Sequence, residues 1–195
     1  MPSFDLRGIK AAKYNNNNGT ISYTNKTTVG DAMNVDIQLK YAEGRLYAES
    51  TLAEYMKQAT GGTISIGVKY LPDAAQQMLY GAQTKSRSVT VGTASTMSVS
   101  GIQLTAKDAP QNVGIAFYAP DMVDGQNKYT AVFISRALFG APSMTFNTKG
   151  DSITFNTPTT TGEFMADHST TQAMLEVAVC DTEAAAKAWV DTVLT

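Results

Sequence analysis

Residues 33–41 read MNVDIQLKY, a stretch in which apolar and polar side chains alternate without a break. Successive side chains of a β-strand point to opposite faces, so this alternation predicts a strand with one buried and one exposed face. Residues 63–70, TISIGVKY, show the same alternation. Two such strands indicate a sheet that covers a core with one face. The polar face of the first strand would carry Asn34, Asp36, Gln38 and Lys40.

Strand signals continue on both sides of these two stretches. Asn18-Gly19 separates two runs near the start of the chain, and this dipeptide favours the tight turn of a hairpin. Runs rich in β-branched residues, bounded by turn residues, bring the total to about ten strands. The further runs lie at 87–91, 97–104, 113–120, 128–138 and 174–180.

Two short helices are predicted beside the strands. Residues 71–81 have Pro72 in the first turn and Gly81 at the end, as helices prefer. Residues 182–194 carry an apolar stripe, and Asp181 is the expected N-cap. No linker rich in proline or glycine divides the chain. We therefore expect one mainly β domain over residues 1–195, a β-sandwich or barrel with one or two flanking short α-helices.

Residues 51–60, TLAEYMKQAT, fit two structures. Leu52, Tyr55, Met56 and Ala59 form a helical stripe, and periodicity alone favours a helix. Leu52, Glu54 and Met56 could equally share one face of a strand.

Residues 144–157 contain a near repeat, MTFNT and ITFNT, around a short turn. A two-residue turn at Gly150-Asp151 would set Phe146 opposite Phe155, and glycine in the first position suits a type II′ turn. The resulting hairpin would have one apolar face. Its other face would be neutral and polar, lined by threonine and asparagine.

The composition is that of a folded protein with a weakly charged surface. Charged residues are 16% of the chain and threonine occurs 25 times. Residues 1–90 carry ten Lys/Arg and seven Asp/Glu, hence +3, whereas residues 91–195 carry five and ten, hence −5. This asymmetry is either scatter or a sign of head-to-tail contact between copies. The net charge of −2 argues against a protein that binds nucleic acid through a basic face.

Few residues could carry chemistry. His168 is the only histidine and Cys180 the only cysteine, so a transition-metal site would lack ligands and no intrachain disulfide can form. Asp167, His168 and Ser169 are neighbours on a predicted loop and cannot face one another as a catalytic triad must. We expect no enzyme, no metal and no cofactor. The start of the chain lacks the apolar run of a signal peptide, and no run approaches the ~20 residues of a membrane helix.

Several stretches, in order along the chain, resemble the major tail tube protein of long-tailed bacteriophages with non-contractile tails. They are FDLRGIKAAKY, GRLYAESTLAEY, GGTISIGVKYLPDAAQQMLYG, VGIAFYAPD, KYTAVF and TKGDSITFNTPTTTGEF. The resemblance implies a β-sandwich whose copies form hexameric rings, stacked into a hollow tube. One sheet of each copy would line the lumen through which the genome passes. Related folds occur in contractile tails and in type VI secretion tubes. In this family, residues 51–60 would be a strand.

The same resemblance implies where the protein acts and with what. The expected partners are other copies of the chain, the tail terminator, distal tail and tape-measure proteins, and double-stranded DNA in transit without specific binding. No membrane partner is expected. The location would be the virion tail, assembled in the cytoplasm of the bacterial host.

Two sets of residues are candidates for these roles. A lumen wall should be neutral to acidic, and its candidates are Asp36, Gln38, Thr154 and Asn156. Residues 42–62 and 157–172 are long segments that a single compact domain does not need, so they are predicted to contact other subunits. The residues expected at such contacts are Glu43, Arg45, Tyr47, Glu49, Glu54, Tyr55, Phe164 and Met165.

Other interpretations stay open. Both long segments could instead pack on their own subunit. The protein could also be a carbohydrate-binding β-sandwich module of a tail or a secreted particle, or a hydrolase on the same scaffold. A binding module should remain a small oligomer and bind glycans, whereas a tube protein should polymerise.

Overall fold

The computed structural model describes residues 5–92, 95–123, 125–145, 148 and 157–195. Of these residues, 62% lie in strands and 11% in two helices. This confirms the predicted fold class, a mainly β, sandwich-like fold with short flanking helices. The strands are β1 Arg7–Asn17, β2 Thr20–Thr28, β3 Ala32–Ala48, β4 Thr51–Val68, β5 Gln83–Val91, β6 Ser95–Gln103, β7 Val113–Val123, β8 Gln126–Phe139, β9 Thr159–Phe164 and β10 Leu175–Cys180; the helices are α1 Asp73–Tyr80 and α2 Glu183–Val193.

Eight strands form one antiparallel sheet in the order β2-β1-β7-β8-β9-β4-β3, with β10 also paired to β8. One edge of β8 pairs with β7 along most of its length. The other edge is shared, because Tyr129–Ile134 pair with β10 and Ala137–Phe139 pair with β9. The sheet therefore divides at β8. The half formed by β9, β4 and β3 folds back over the half formed by β1, β7 and β8, and both halves contribute to one core.

The core lies between the two halves of the sheet and is closed at one side by α1. Leu71, Ala75 and Leu79 are buried there and Met78 packs against it, as the helical periodicity predicts. Gly81 ends α1 in the left-handed conformation, with its N–H donating to the Gln77 carbonyl. The strands contribute the largest fully buried side chains of this core, Ile9, Ile64, Ile66, Ile115, Ile134, Phe139 and Phe164.

Helix α2 packs on the opposite face of β1, β7 and β8. Ala186, Val190 and Leu194 are buried in this second cluster, with Trp189 and Val193 partly buried beside them. Asp181 was predicted as the N-cap of α2, and this is wrong, because the next residue, Thr182, is the N-cap. The Thr182 side chain accepts the hydrogen bond from the Ala185 N–H, whereas the Asp181 carboxylate lies 2.5 Å from the Lys128 Nζ.

Two lysines of the sheet also hold α2. Lys10 Nζ lies 2.6 Å, and Lys26 Nζ 3.0 Å, from a carboxylate oxygen of Asp191. These contacts, above all the hydrogen bond from Lys10, lower the pKa of Asp191. The helix is thereby fixed against the edge of the sheet formed by β1 and β2.

The first hairpin has the predicted turn. Asn18 and Gly19 connect β1 and β2 with φ values of 51° and 87°. Positive φ at both central residues is the geometry of a type I′ turn, which asparagine and glycine adopt most easily.

Residues 51–60 are strand, so the helical interpretation is wrong. Within this segment the register against β3 shifts at two points, which leaves Ala53 and Thr60 as extra residues of β4. An extra residue moves the side chains that follow it to the other face. Leu52 and Tyr55, three residues apart, therefore share a face, and this spacing imitates a helical stripe.

Residues 157–172 were predicted to be a segment that the domain does not need, and this is wrong for the first half. Thr159–Phe164 form β9, which joins the two halves of the sheet by pairing with β4 and β8. Its inward side chains are Thr160, Gly162 and Phe164. Only one of these three is a large apolar residue, so the strand shows little hydrophobic alternation in the sequence.

The predicted hairpin at 144–157 lies largely outside the described residues. Residues 146–147 and 149–156 of its repeat, with the predicted turn at Gly150-Asp151, are not in the described ranges.

The β4–β9 pair supplies a stability prediction at Gly62, which lies opposite Phe164. A Cβ at Gly62 would clash with the Phe164 ring and with the carbonyl oxygen of Gln38. We expect Gly62→Ala to lower the free energy of unfolding by about 1–3 kcal/mol, because the ring or the backbone must shift. Urea denaturation followed by circular dichroism measures this difference.

Gly101 provides the matched control. No described heavy atom lies within 4 Å of a Cβ built there, so Gly101→Ala should change the stability by less than about 0.5 kcal/mol. Equal losses of stability in the two variants would show that the close contact at position 62 does not restrict the size of the side chain there.

Candidate assembly surfaces

The outer parts of β3 and β4, residues 41–60, form a hairpin that projects from the sheet, here named the long arm. Strand β9 pairs with β4 only over Gly62–Gly67, and β3 is the edge of the sheet. In the part of the arm beyond Gly62, β3 and β4 pair only with each other among the described residues. Ten residues of strand span roughly 30 Å. Glu49 and Ser50 form the turn at the tip, with φ values of 49° and 64°.

On one face of the long arm, named the ladder face, the charged side chains pair with one another. Glu43 lies opposite Lys57, and their charged atoms are 3.3 Å apart. The Arg45 guanidinium lies 3.4 Å from the same carboxylate and 5.5 Å from the centre of the Tyr55 ring. Lys57 Nζ lies 4.5 Å from the centre of the Tyr41 ring. Hydrogen bonds from Tyr55 and then Lys57 lower the pKa of Glu43.

The other face, named the long-arm apolar face, has no such internal compensation. Register places Gly44 opposite Met56 and Leu46 opposite Glu54. Met56 is 71% exposed and Leu46 is 59% exposed. These two apolar side chains are diagonal neighbours across the strands. The apolar or small residues of this face are Ala42, Gly44, Leu46, Ala48 and Met56, and its polar residues are Thr51, Glu54 and Gln58.

An isolated two-stranded hairpin is marginally stable in water. Tyr47 and Leu52 lie on the ladder face and are 60% and 52% exposed. Large apolar side chains are therefore exposed on both faces of the long arm. Exposed apolar patches on rigid elements commonly mark protein contacts. The long arm therefore has the composition of a surface that another chain covers.

Strands β5 and β6 form a second projecting hairpin, here named the short arm. They make a separate two-stranded sheet with unbroken register from Gln83↔Gln103 to Val91↔Ser95. One face is almost entirely serine and threonine, with the Ser86 and Ser100 hydroxyls 2.8 Å apart. The other face, named the short-arm apolar face, carries Val89, Val91, Met97 and Val99, which are 42–57% exposed.

The sequence predicts both strands of the short arm but not its exposure. Alternation in RSVTV and MSVSGIQL is typical of a strand with a buried face. In the structure that face has no cover from the described chain, because every residue of β5 and all but Ile102 of β6 are exposed. An apolar face without cover is the signal that points to a contact, and it appears only once the topology is known.

A third surface, named the polar sheet face, is the outer side of β3, β4 and β9. Asp36 and Gln38 lie there, both exposed, and the Gln38 amide donates to the Asp36 carboxylate at 2.9 Å. Lys40 Nζ lies 2.6 Å from the Glu163 carboxylate. Asp36, Glu163 and Lys40 together give this face a charge of −1. Its neutral residues are small and polar, Thr63, Ser65, Thr159 and Thr161.

The structure brings six of the eight predicted contact residues together on the long arm. They are exposed, and they are Glu43, Arg45, Tyr47, Glu49, Glu54 and Tyr55. Phe164 was predicted at a contact, and this is wrong: it is 2% exposed and belongs to the core. Met165 is half-buried beside it, with its N–H donating to the Arg136 carbonyl. Thr154 and Asn156 lie outside the described ranges.

The residues considered above for catalysis or metal binding make hydrogen bonds and packing contacts within the fold. His168 Nε2 lies 3.0 Å from Arg136 Nη1, and its backbone N–H donates to the Tyr14 hydroxyl. Ser169 Oγ donates to Asp167 rather than to His168. Cys180 is half-buried against the α2 cluster. Within the described ranges, no group of three His, Cys, Asp or Glu side chains could hold a metal ion.

No protein-family model matches the sequence, and no curated protein matches it significantly. Neither helix of the described residues is long and apolar enough to cross a membrane. The arms and the polar sheet face are therefore interpreted from their own geometry.

Proposed function

We propose that the protein is a structural subunit of a bacteriophage virion, whose copies assemble as stacked hexameric rings into the tail tube that conducts the genome. The observation that carries this proposal is the pair of arms. Two hairpins expose apolar side chains that the described part of the chain does not cover, and other copies of the chain would cover them. The sixfold ring and the tube come from the resemblance of the sequence to tail tube proteins.

The polar sheet face supports the conduit part of the proposal. A wall that DNA passes should offer few cations, because each lysine or arginine that contacts a phosphate adds an attraction. Among the described residues of β3, β4 and β9, the cation on this face is Lys40, and it already has a carboxylate partner in Glu163. Asp36 and Gln38 keep their place as candidates for the lumen wall.

The free edges of the sheet support assembly as well. Strands β2 and β3 end the described order of the large sheet, so among the described residues no strand pairs with their outer edges. Exposed edges invite pairing with other chains. Joining sheets around a closed ring removes such edges, and head-to-tail contacts close when the rotation permits.

A carbohydrate-binding module is less well supported. Stacking on a sugar needs a free aromatic face, and the exposed tyrosines of the long arm are the obvious candidates. The Tyr41 ring has the Lys57 ammonium over it, and the Tyr55 ring has the Arg45 guanidinium. These two rings are therefore engaged within the arm.

Sedimentation velocity over a range of protein and salt concentrations tests the proposal. We expect the purified chain to shift from a light species to large polymers as its concentration rises. The tail terminator, distal tail and tape-measure proteins would be its further partners in the virion. A chain that stays monomeric at every concentration and salt would count decisively against the proposal.

A further inference from the structure

The two arms carry opposite charges that no neighbour neutralises. On the short arm, Lys85 and Arg87 share the face of Val89 and no acidic residue occurs over 83–103. Glu54 lies on the long-arm apolar face opposite Leu46, and Glu49 lies in the turn at the tip of the long arm. Among the described residues, none of these four charged groups has a partner of opposite sign within 4.0 Å. The Glu43 carboxylate, in contrast, has two cationic partners, Arg45 and Lys57.

On both arms a charged residue is followed by an apolar residue on the same face of the strand. Along β4, Glu54 is followed on the same face by Met56, and along β5, Arg87 is followed on the same face by Val89. If the tip of one arm lies at the base of the other, β4 and β5 run in the same direction. Arg87 then opposes Glu54, and Val89 opposes Met56. Lys85 lies at the end that faces the acidic tip.

The shapes of the two faces also fit. Gly44 lies opposite Met56 on the long arm, and Gly101 lies opposite Lys85 on the short arm. Lys85, Arg87, Val89, Val99 and Gly101 line a shallow groove. Sheets that pack face to face stand about 10 Å apart, a distance that long side chains such as methionine and arginine fill.

From this complementarity we propose that the short-arm apolar face of one copy packs on the long-arm apolar face of a second copy, with Arg87 paired to Glu54. The inference rests on the proposed polymerisation and names the contact that drives it. Apolar side chains supply the attraction. The opposed charges fix the register and disfavour the reversed orientation, in which Glu54 and Arg87 would be buried without partners.

Charge reversal tests the pairing. Glu54→Lys and Arg87→Glu are each expected to raise the critical concentration for polymerisation by about tenfold or more, because each brings like charges together. The double variant, E54K with R87E, restores an opposed pair and should return to within about threefold of the wild type. All these side chains are exposed, so the variants should fold like the wild type.

Lys107→Glu provides the control, since Lys107 is exposed near the base of the short arm but outside its strands. Combined with E54K, it should give no rescue. Polymers that form normally in both single variants, or a double variant no better than either, would overturn the inference while leaving polymerisation intact. A wild-type chain that never polymerises would overturn the proposed function and this inference together.

Cysteine cross-linking gives an independent readout. In a Cys180→Ser background, chains carrying Met56→Cys are mixed with chains carrying Val89→Cys under polymerising conditions and a mild oxidant. We expect a disulfide-linked dimer. Ser88→Cys, on the serine and threonine face of the short arm, should yield none. Equal cross-linking of Val89→Cys and Ser88→Cys would contradict the proposed face.

Discussion

Replacing the long arm by a tight turn is expected to abolish polymerisation and to leave the sandwich folded. The variant deletes residues 41–60 and joins Lys40 to Gly61 through Asn-Gly, which keeps the Lys40↔Gly61 pair as the last of the hairpin. Every deleted side chain except Ala59 is exposed, so the core loses no packing. The free energy of unfolding should therefore change by less than about 1 kcal/mol.

The expected effect on assembly is large because a few apolar anchors dominate most protein contacts. Removing Leu46 and Met56 with the rest of the arm should raise the critical concentration by at least about 100-fold. Far-ultraviolet circular dichroism and urea denaturation check the fold, and light scattering measures polymerisation. Normal polymerisation by this variant would show that the contacts between copies lie elsewhere.

Hydrogen exchange should change most in the two arms when the protein assembles. In the free chain, each arm has only two strands and few buried contacts, so its amides should open with little cost. Neighbouring copies supply the missing burial. We expect arm amides over 41–60 and 83–103 to exchange on the order of 100-fold more slowly in the polymer.

The central strands serve as the internal control for that measurement. Amides of β7 and β8 lie in the middle of the sheet and should be equally protected in both states. Mass spectrometry of peptic peptides resolves the arms from these strands. Equal exchange of both arms before and after assembly would mean that they do not contact neighbours.

Much of the fold could be predicted because local and tertiary preferences agree there. The Asn18-Gly19 turn and the helix α1 follow from residue type and spacing, and the structure places them as expected. Strand β3 forms as predicted, but its apolar face is covered only in part, because Val35 and Ile37 are half-buried whereas Met33, Leu39 and Tyr41 are exposed. Strand β9 was missed because its inward positions hold Thr160 and Gly162. Glycine is required at 162, since a Cβ would approach the Leu138 carbonyl oxygen and the Phe139 ring at 2.8 Å.

The candidate surfaces were predicted unevenly for a related reason. Excess length identified the long arm, although bulges at Ala53 and Thr60 hid its strand character. The short arm could not be distinguished from a core hairpin, because alternation reports that one face is apolar and not what covers it. That information depends on how distant strands pair, which the spacing of residues within one strand does not contain.

Negative-stain electron microscopy of the purified chain at several concentrations shows whether the copies assemble into a tube. We expect hollow tubes of uniform width, built from stacked rings that show sixfold symmetry in end views. Short stacks and single rings should appear near the critical concentration. A field of small discrete particles at every concentration, with neither rings nor tubes, would contradict the proposed assembly.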